Sequence, residues 1–100
     1  MIIHTVLLDP KPEATLDEIT TALEHVRDLQ QVFPGILDVQ AGENLNSPKG
    51  QGYTYGFIMR FIDLAALKAY APHPAHVLVS NELVKISQRI LDFDLEAEDL

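Results

Sequence analysis

The 100-residue sequence contains no cysteine. Disulfides, thiolate nucleophiles and cysteine-based zinc or iron–sulfur sites are therefore excluded. Basic residues are also scarce, since 7 lysines and arginines stand against 15 acids and give a net charge of −8. Nucleic acids and anionic membranes are bound by clustered cations, whereas here the basic residues are scattered singly between Lys11 and Arg89. We therefore expect neither nucleic acid nor a membrane as a partner.

Long apolar runs and export signals are absent as well. No apolar stretch approaches the length of a membrane span, and Met1-Ile2-Ile3-His4 lacks the cationic start of a signal peptide. Together with the lack of cysteine, this predicts a cytoplasmic location. The length corresponds to a single domain over residues 1–100. A chain of this size has little surface to spare for enclosing a deep ligand cavity, so a second subunit could supply a wall.

Hydrophobic periodicity predicts the secondary structure. Apolar residues occupy both alternations of a strand over Ile2 to Leu8, and a capping box at Thr15 and Glu18 begins an amphipathic helix over Leu16 to Val32. The polar stretch from Gly42 to Gly52 is predicted to be one loop. The other predicted segments are strands over Ile36 to Ala41, Tyr53 to Ile62 and Ile90 to Asp94, helices over Leu64 to Tyr70 and Pro74 to about Gln88, and an acidic tail over Leu95 to Leu100.

This order of elements is the β-α-β-β-α-β pattern of a ferredoxin-like α+β domain. In that fold, helices cover one face of a four-stranded antiparallel sheet. The first and third strands are apolar on both alternations here, so the second face needs a cover that the chain does not contain. The economical solution is the same face of a second copy. The pattern therefore predicts a homodimer with a barrel-like interior between two sheets.

Histidines and one tyrosine are the main candidates for chemistry. His4 lies on an otherwise apolar alternation, where an imidazole must find a hydrogen-bond partner or lose its charge. His73 and His76 flank a predicted helix start, and the positive end of the helix favours a neutral His76 that can accept a proton. Tyr70 could direct its hydroxyl to the same region. The structural alternative also stays open, with a hydrogen-bonded core His4, His73 as a helix cap and Tyr70 as core.

The remaining signals concern binding and metals. Tyr53, Tyr55 and Phe57 share one face of the third strand and are expected, together with His73, to contact a bound substrate. The three histidines at positions 4, 73 and 76 could form a three-nitrogen metal set, but His-x-x-His is not the spacing of helical zinc sites and no acid completes it. Phosphate-loop, dinucleotide and serine-hydrolase signatures are absent. We predict no metal and no cofactor.

The sequence also resembles a known family. The resemblance is carried by His4 in the N-terminal strand, Pro34-Gly35 after the first helix, Gly52-Tyr53-Thr54-Tyr55-Gly56 at the third strand, and Tyr70 before Pro72-His73-Pro74-Ala75-His76. On these residues the chain is similar, essentially from end to end, to the stress-responsive α/β-barrel (Dabb) domain. The resemblance implies a ferredoxin-like protomer and an intimate homodimer with a barrel between the sheets.

The same resemblance implies a chemistry. Plant olivetolic acid cyclases of this family close a linear polyketide by an aldol-type condensation. At the matching positions, His76 would remove a proton next to a carbonyl, while Tyr70 and His4 would orient the substrate or donate hydrogen bonds to the enolate oxygen. The chain departs from the cyclases at Val26, where they have a tyrosine in the first helix.

The sequence therefore predicts a dimer that binds a small, partly apolar, oxygenated molecule in a sheet-lined pocket, with cyclase- or lyase-type acid–base chemistry as the stronger form of the hypothesis. One alternative is a non-catalytic stress-response protein whose histidines are structural. The other is a cofactor-independent monooxygenase, which would consume oxygen with an aromatic substrate.

Overall fold

The computed structural model describes residues 1–98. Residues 99 and 100 of the predicted acidic tail lie outside the described residues, whereas Leu95 and Glu96 belong to the last strand. The elements in chain order are β1 (Ile2–Pro10), α1 (Leu16–Val32), β2 (Ile36–Glu43), β3 (Tyr55–Phe61), α2 (Leu64–Tyr70), α3 (Pro74–Ile86) and β4 (Ser87–Glu96), with a 3-10 turn at Ser47–Lys49 between β2 and β3. In the described part of the chain, no helix is long and apolar enough to cross a membrane.

The strands form one antiparallel sheet in the order β2-β3-β1-β4. β1 is central, and its residue His4 faces Met59 of β3 on one side and Asp94 of β4 on the other. β2 completes the sheet at the far edge of β3. The predicted ferredoxin-like α+β architecture is therefore confirmed.

The capping box predicted for α1 forms in the structure. The hydroxyl of Thr15 accepts a hydrogen bond from the backbone N–H of Glu18 at 3.1 Å, and the N–H of Thr15 donates to the Glu18 carboxylate at 2.9 Å. The apolar stripe of the helix packs on the sheet, where it buries Val26 completely beside Met59 and Phe61. This packing fixes the helices on one face of the sheet.

The two faces of the sheet differ sharply. On the helix side, His4 and Val6 of β1 and Phe57 of β3 are buried. The other side, here called the open face, carries apolar side chains that no part of residues 1–98 covers. Phe93 is 60% exposed there. The open face comprises Ile3, Thr5 and Leu7 of β1, Gly56, Ile58 and the charged Arg60 of β3, and Leu91, Phe93 and Leu95 of β4.

Several predicted boundaries were wrong. β2 continues to Glu43, into the stretch predicted as a loop, and β4 begins at Ser87 and not at Ile90. β3 begins at Tyr55 and not at Tyr53, because the N–H of Tyr53 donates to the carbonyl of Gly50 at 2.9 Å and closes a turn. α3 ends at Ile86 and not near Gln88, because Ser87 is already extended with φ −113° and ψ 141° and pairs with β1. The strand pairing at this end of the sheet outweighs the helical periodicity.

Candidate functional site

A cavity of about 670 Å³ lies between the helix side of the sheet and the helices α2 and α3. We call it the helix-side cavity. Its floor is β1 and β3, where His4, Val6 and Phe57 are buried, and its mouth lies along the edge strand β4, whose residues are exposed. The apolar wall consists of Val6, Phe57, Leu67, Val79, Leu83 and Ile90.

The helix-side cavity is lined by five elements of one chain, namely β1, β3, β4, α2 and α3. The barrel interior predicted between two sheets would lie on the other side of the sheet and stays a prediction. The open face is on the opposite side of the sheet.

Strand register brings His4 to the cavity together with an acidic partner. His4 is 8% exposed, and its ring makes edge-to-face contacts with Phe57, Phe61 and Tyr70 at 6.1 to 6.4 Å between centroids. The imidazole Nδ1 is hydrogen-bonded to Oδ1 of Asp94, the residue opposite His4 in the ladder. A carboxylate only accepts, so Nδ1 carries the hydrogen of this bond, and in the neutral ring Nε2 is the acceptor.

His76 is oriented by the end of α2. It lies in the first turn of α3, and its Nδ1 donates to the backbone carbonyl of Ala71 at 2.8 Å. Because a carbonyl cannot donate, this bond fixes the tautomer and leaves Nε2 of the neutral ring as an acceptor. The His76 ring lies 4.3 Å from the ring of Tyr70, centroid to centroid. The proton-accepting role of His76 stays a prediction.

Tyr70 is the last residue of α2 and is 3% exposed. Its ring packs against Phe61 and Phe33 at centroid distances of 5.0 and 5.6 Å. Its hydroxyl, in contrast, makes no hydrogen bond within residues 1–98, although the side chain lines the cavity. Burial raises the pKa of Tyr70, so the phenol stays protonated near neutral pH and can donate a hydrogen bond.

The other predicted binding residues are divided between the cavity and the rest of the fold. Phe57 lines the cavity. His73 caps α3, since its Nδ1 accepts from the N–H of Ala75 at 3.1 Å. Tyr55 packs against the core, and Tyr53 lies under the guanidinium of Arg89 at 4.8 Å. His73, Tyr53 and Tyr55 do not line the helix-side cavity, so the substrate contact predicted for these three residues would need a site outside it.

Sequence reasoning missed the two acidic residues of the cavity, Asp92 and Asp94. Both lie on the same face of β4 as Ile90. The antiparallel register pairs Asp92 with Val6 and Asp94 with His4. The alternation was visible in the sequence, but the register was not. His4, His73 and His76 do not come together as a metal-binding group in the part of the chain that the structure describes.

Comparisons with known proteins were made for the sequence and for the fold. The family model for the stress responsive A/B barrel domain, Dabb, matches residues 2–97. A dimeric ferredoxin-like protein of unknown function from Jannaschia sp. is 36% identical, with a TM-score of 0.86 over 96% of this chain and 98% of that chain. A Dabb family protein from Mesorhizobium loti is 27% identical, with a TM-score of 0.80 over 98% of this chain and 97% of that chain.

A more distant structure shares the fold alone. The hydroxynitrile lyase from Passiflora edulis is 16% identical, with a TM-score of 0.89 over 99% of this chain and 94% of that chain. A search of curated proteins finds no significant match. The family match covers nearly the whole sequence and agrees with the ferredoxin-like architecture. The chain therefore belongs to the stress-responsive A/B barrel (Dabb) domain family.

Proposed function

We propose that this protein binds a small, partly apolar compound with a carbonyl or hydroxyl group in the helix-side cavity and acts on it by lyase- or cyclase-type acid–base chemistry. The observation that carries the proposal is the hydroxyl of Tyr70, which has no partner within residues 1–98 and belongs to a cavity-lining residue that is only 3% exposed. An unpaired hydroxyl on an otherwise apolar cavity wall can bond an oxygen atom of a ligand. The imidazoles of His4 and His76, whose Nε2 atoms are acceptors in the neutral rings, lie beside the Tyr70 ring at 6.4 and 4.3 Å between centroids.

Each residue then has a role that its contacts support. Tyr70 donates a hydrogen bond to the carbonyl oxygen of the ligand. His76 removes a proton from the adjacent carbon through Nε2, and the negative charge that develops on the oxygen is stabilised by the Tyr70 hydroxyl. His4, held by Asp94, accepts a hydrogen bond from a second hydroxyl of the ligand. In this scheme Asp94 is a positioning residue, because it acts through His4.

The scheme accounts for bond formation and bond cleavage with the same groups. In the cyclase direction, the enolate carbon forms a bond to a second carbonyl carbon, and the imidazolium of His76 returns its proton to the new alkoxide. In the lyase direction, His76 takes the proton of a hydroxyl, the neighbouring C–C bond breaks, and the departing carbanion receives the proton. A protein of the same fold is named as a hydroxynitrile lyase, so the fold is compatible with lyase chemistry.

We further propose that the protein is a homodimer that pairs through its open face. The apolar residues Leu91, Phe93 and Leu95 are between 41% and 60% exposed in the single chain, and an apolar surface of this extent favours association. The 36% identical relative from Jannaschia sp. is dimeric. The cytoplasmic location stays a prediction from the sequence.

The binding step is tested by calorimetric titration of acetophenone, a carbonyl compound with an apolar ring, into wild-type protein and three variants. We expect Tyr70→Phe and His76→Gln to weaken binding. The matched control is His25→Gln, because His25 lies on α1 outside the cavity and pairs with Glu82. Equal affinity in wild type and both cavity variants would contradict the proposal.

The acid–base step is tested by proton exchange. In heavy water, removal of a proton next to the carbonyl replaces the methyl hydrogens of acetophenone by deuterium, which NMR follows directly. We expect exchange that depends on wild-type protein and is lost in His76→Gln. Binding without exchange in the wild type would instead favour a non-catalytic ligand-binding protein. Oxygen consumption with a phenolic substrate would favour the monooxygenase alternative.

A further inference from the structure

The helix-side cavity contains a second carboxylate that the proposed chemistry does not use. Asp92 lies on β4 beside Val6, two residues before Asp94 and on the same face of the strand. Asp94 bonds His4, whereas Asp92 makes no hydrogen bond or ion pair with any described residue. Ser80 lies on α3, one turn beyond His76, and its hydroxyl is also unpaired in residues 1–98. Asp92 and Ser80 thus add two unpaired polar groups to the lining of the cavity.

An exposed carboxylate alone indicates only a solvated strand edge. The independent observation is Tyr70, a residue that is only 3% exposed, lines the same cavity and carries a hydroxyl without a partner within residues 1–98. The two groups are complementary, because a protonated phenol can donate a hydrogen bond and a carboxylate can only accept one. A ligand that satisfies both needs an acceptor at Tyr70 and a donor at Asp92.

The strand places Asp92 apart from the His4–Asp94 pair, because successive residues on one side of a strand are separated by roughly 7 Å. Asp92 and Tyr70 come from different walls of the cavity, the strand β4 and the helix α2. The ring of an aromatic ligand would lie against the apolar wall formed by Val6, Phe57 and Val79.

The charges that line the cavity also favour a ligand with a hydrogen-bond donor at Asp92. Apart from the histidines, Lys68 on α2 is the basic side chain among the described residues that line the cavity, and it forms no ion pair with Asp92. A hydrocarbon substituent placed at Asp92 would remove water from an unpaired carboxylate, which is unfavourable. A hydroxyl or an ammonium group would replace that water with a hydrogen bond.

We propose that Asp92 is a specificity-determining residue that selects ligands bearing a hydroxyl or ammonium donor at the far side of the ring from the carbonyl. This inference rests on the proposed function, because the carbonyl must be held at Tyr70 for the donor to reach Asp92. It narrows the substrate class from partly apolar carbonyl compounds to bifunctional ones.

The test uses three probes that differ only in the para substituent: acetophenone, 4-(hydroxymethyl)acetophenone and 4-(aminomethyl)acetophenone. Affinities are measured by calorimetry with the wild-type protein, Asp92→Asn, Asp92→Leu and the control Asp28→Asn. The control removes the same charge from the exposed surface of α1, away from the helix-side cavity. We expect the wild type to bind the amine about ten-fold or more tightly than acetophenone, and the alcohol about three-fold more tightly.

The variants separate the two kinds of donor. Asp92→Asn keeps an acceptor oxygen but loses the charge, so we expect it to lose the preference for the amine and keep that for the alcohol. Asp92→Leu should lose both preferences, and Asp28→Asn should behave as the wild type does. A wild type that binds all three probes equally, or an amine preference that survives in Asp92→Leu, would overturn the inference.

The design distinguishes this inference from the proposed function. If acetophenone binding depends on Tyr70 but the Asp92 variants bind all probes as the wild type does, the proposed function stands and the role of Asp92 is rejected. Binding of acetophenone that is the same in Tyr70→Phe would reject the proposed function itself. No detectable binding of any probe at millimolar concentration would overturn both.

Discussion

Replacing Tyr70 with phenylalanine separates the structural from the functional interpretation of the cavity. A typical buried hydrogen bond contributes about 1 kcal/mol to stability. The Tyr70 hydroxyl has no partner within residues 1–98, and phenylalanine would keep the ring contacts with Phe61 and Phe33. We therefore expect Tyr70→Phe to change the free energy of unfolding by less than about 0.5 kcal/mol.

The effect on function should be larger than the effect on stability. Loss of one neutral hydrogen bond to a carbonyl oxygen costs about 0.5–1.5 kcal/mol, which weakens binding by about two- to ten-fold. The oxygen gains negative charge during proton removal, and loss of one donor to such an oxyanion costs about 2.7–4 kcal/mol. We therefore expect the rate of deuterium exchange in acetophenone to fall by about 100-fold or more in Tyr70→Phe.

Stability is measured by urea denaturation at one fixed protein concentration, because the unfolding of a dimer depends on concentration. Tyr53→Phe is the matched control, since Tyr53 lies beside Arg89 and outside the helix-side cavity. The reasoning would be refuted if Tyr70→Phe lost more than about 1 kcal/mol of stability while acetophenone binding stayed unchanged. That result would mean that the hydroxyl serves the fold.

Three further predictions concern the fold. His73→Ala removes the N-cap acceptor of α3 and should cost about 1 kcal/mol in urea denaturation without affecting acetophenone binding. Hydrogen bonds from Gln88 and Arg89 lower the pKa of Asp9. Asp9 therefore stabilises the fold above the ordinary carboxyl pKa of about 3.9, and this contribution is lost as pH falls. The urea midpoints of wild type and Asp9→Asn should converge below that pH. Phe93→Asp should give monomers in light scattering.

The order of elements was predictable because each element is specified by residues close in sequence. The capping box at Thr15 and the helix-start proline after His73 act within a few residues, and both helices begin where predicted. The end of α3 was less predictable. Ser87 leaves the helix because it pairs with Pro10, which is distant in sequence. Local periodicity contains no information about that pairing.

The site was only partly predictable for the same reason. His4, Tyr70 and His76 stand out by residue type, and the structure brings their side chains to one cavity. The acidic partner of His4 depends on the register between β1 and β4, two strands that lie at opposite ends of the sequence. Asp94 therefore looked like part of an acidic strand until its position in the ladder was known.

The alternation of β4 links the cavity to dimer formation. In most half-buried strands the apolar residues face the protein's own core, but in β4 the apolar residues Leu91 and Phe93 face away from the helices, while Asp92 and Asp94 face toward them. Carboxylates turned toward the helices are tolerated only because the cavity beside them admits solvent or a ligand. Apolar side chains turned outward are tolerated only if another surface covers them. The inverted strand is thus consistent with both proposals, a ligand on the helix side of the sheet and a second subunit on its open face.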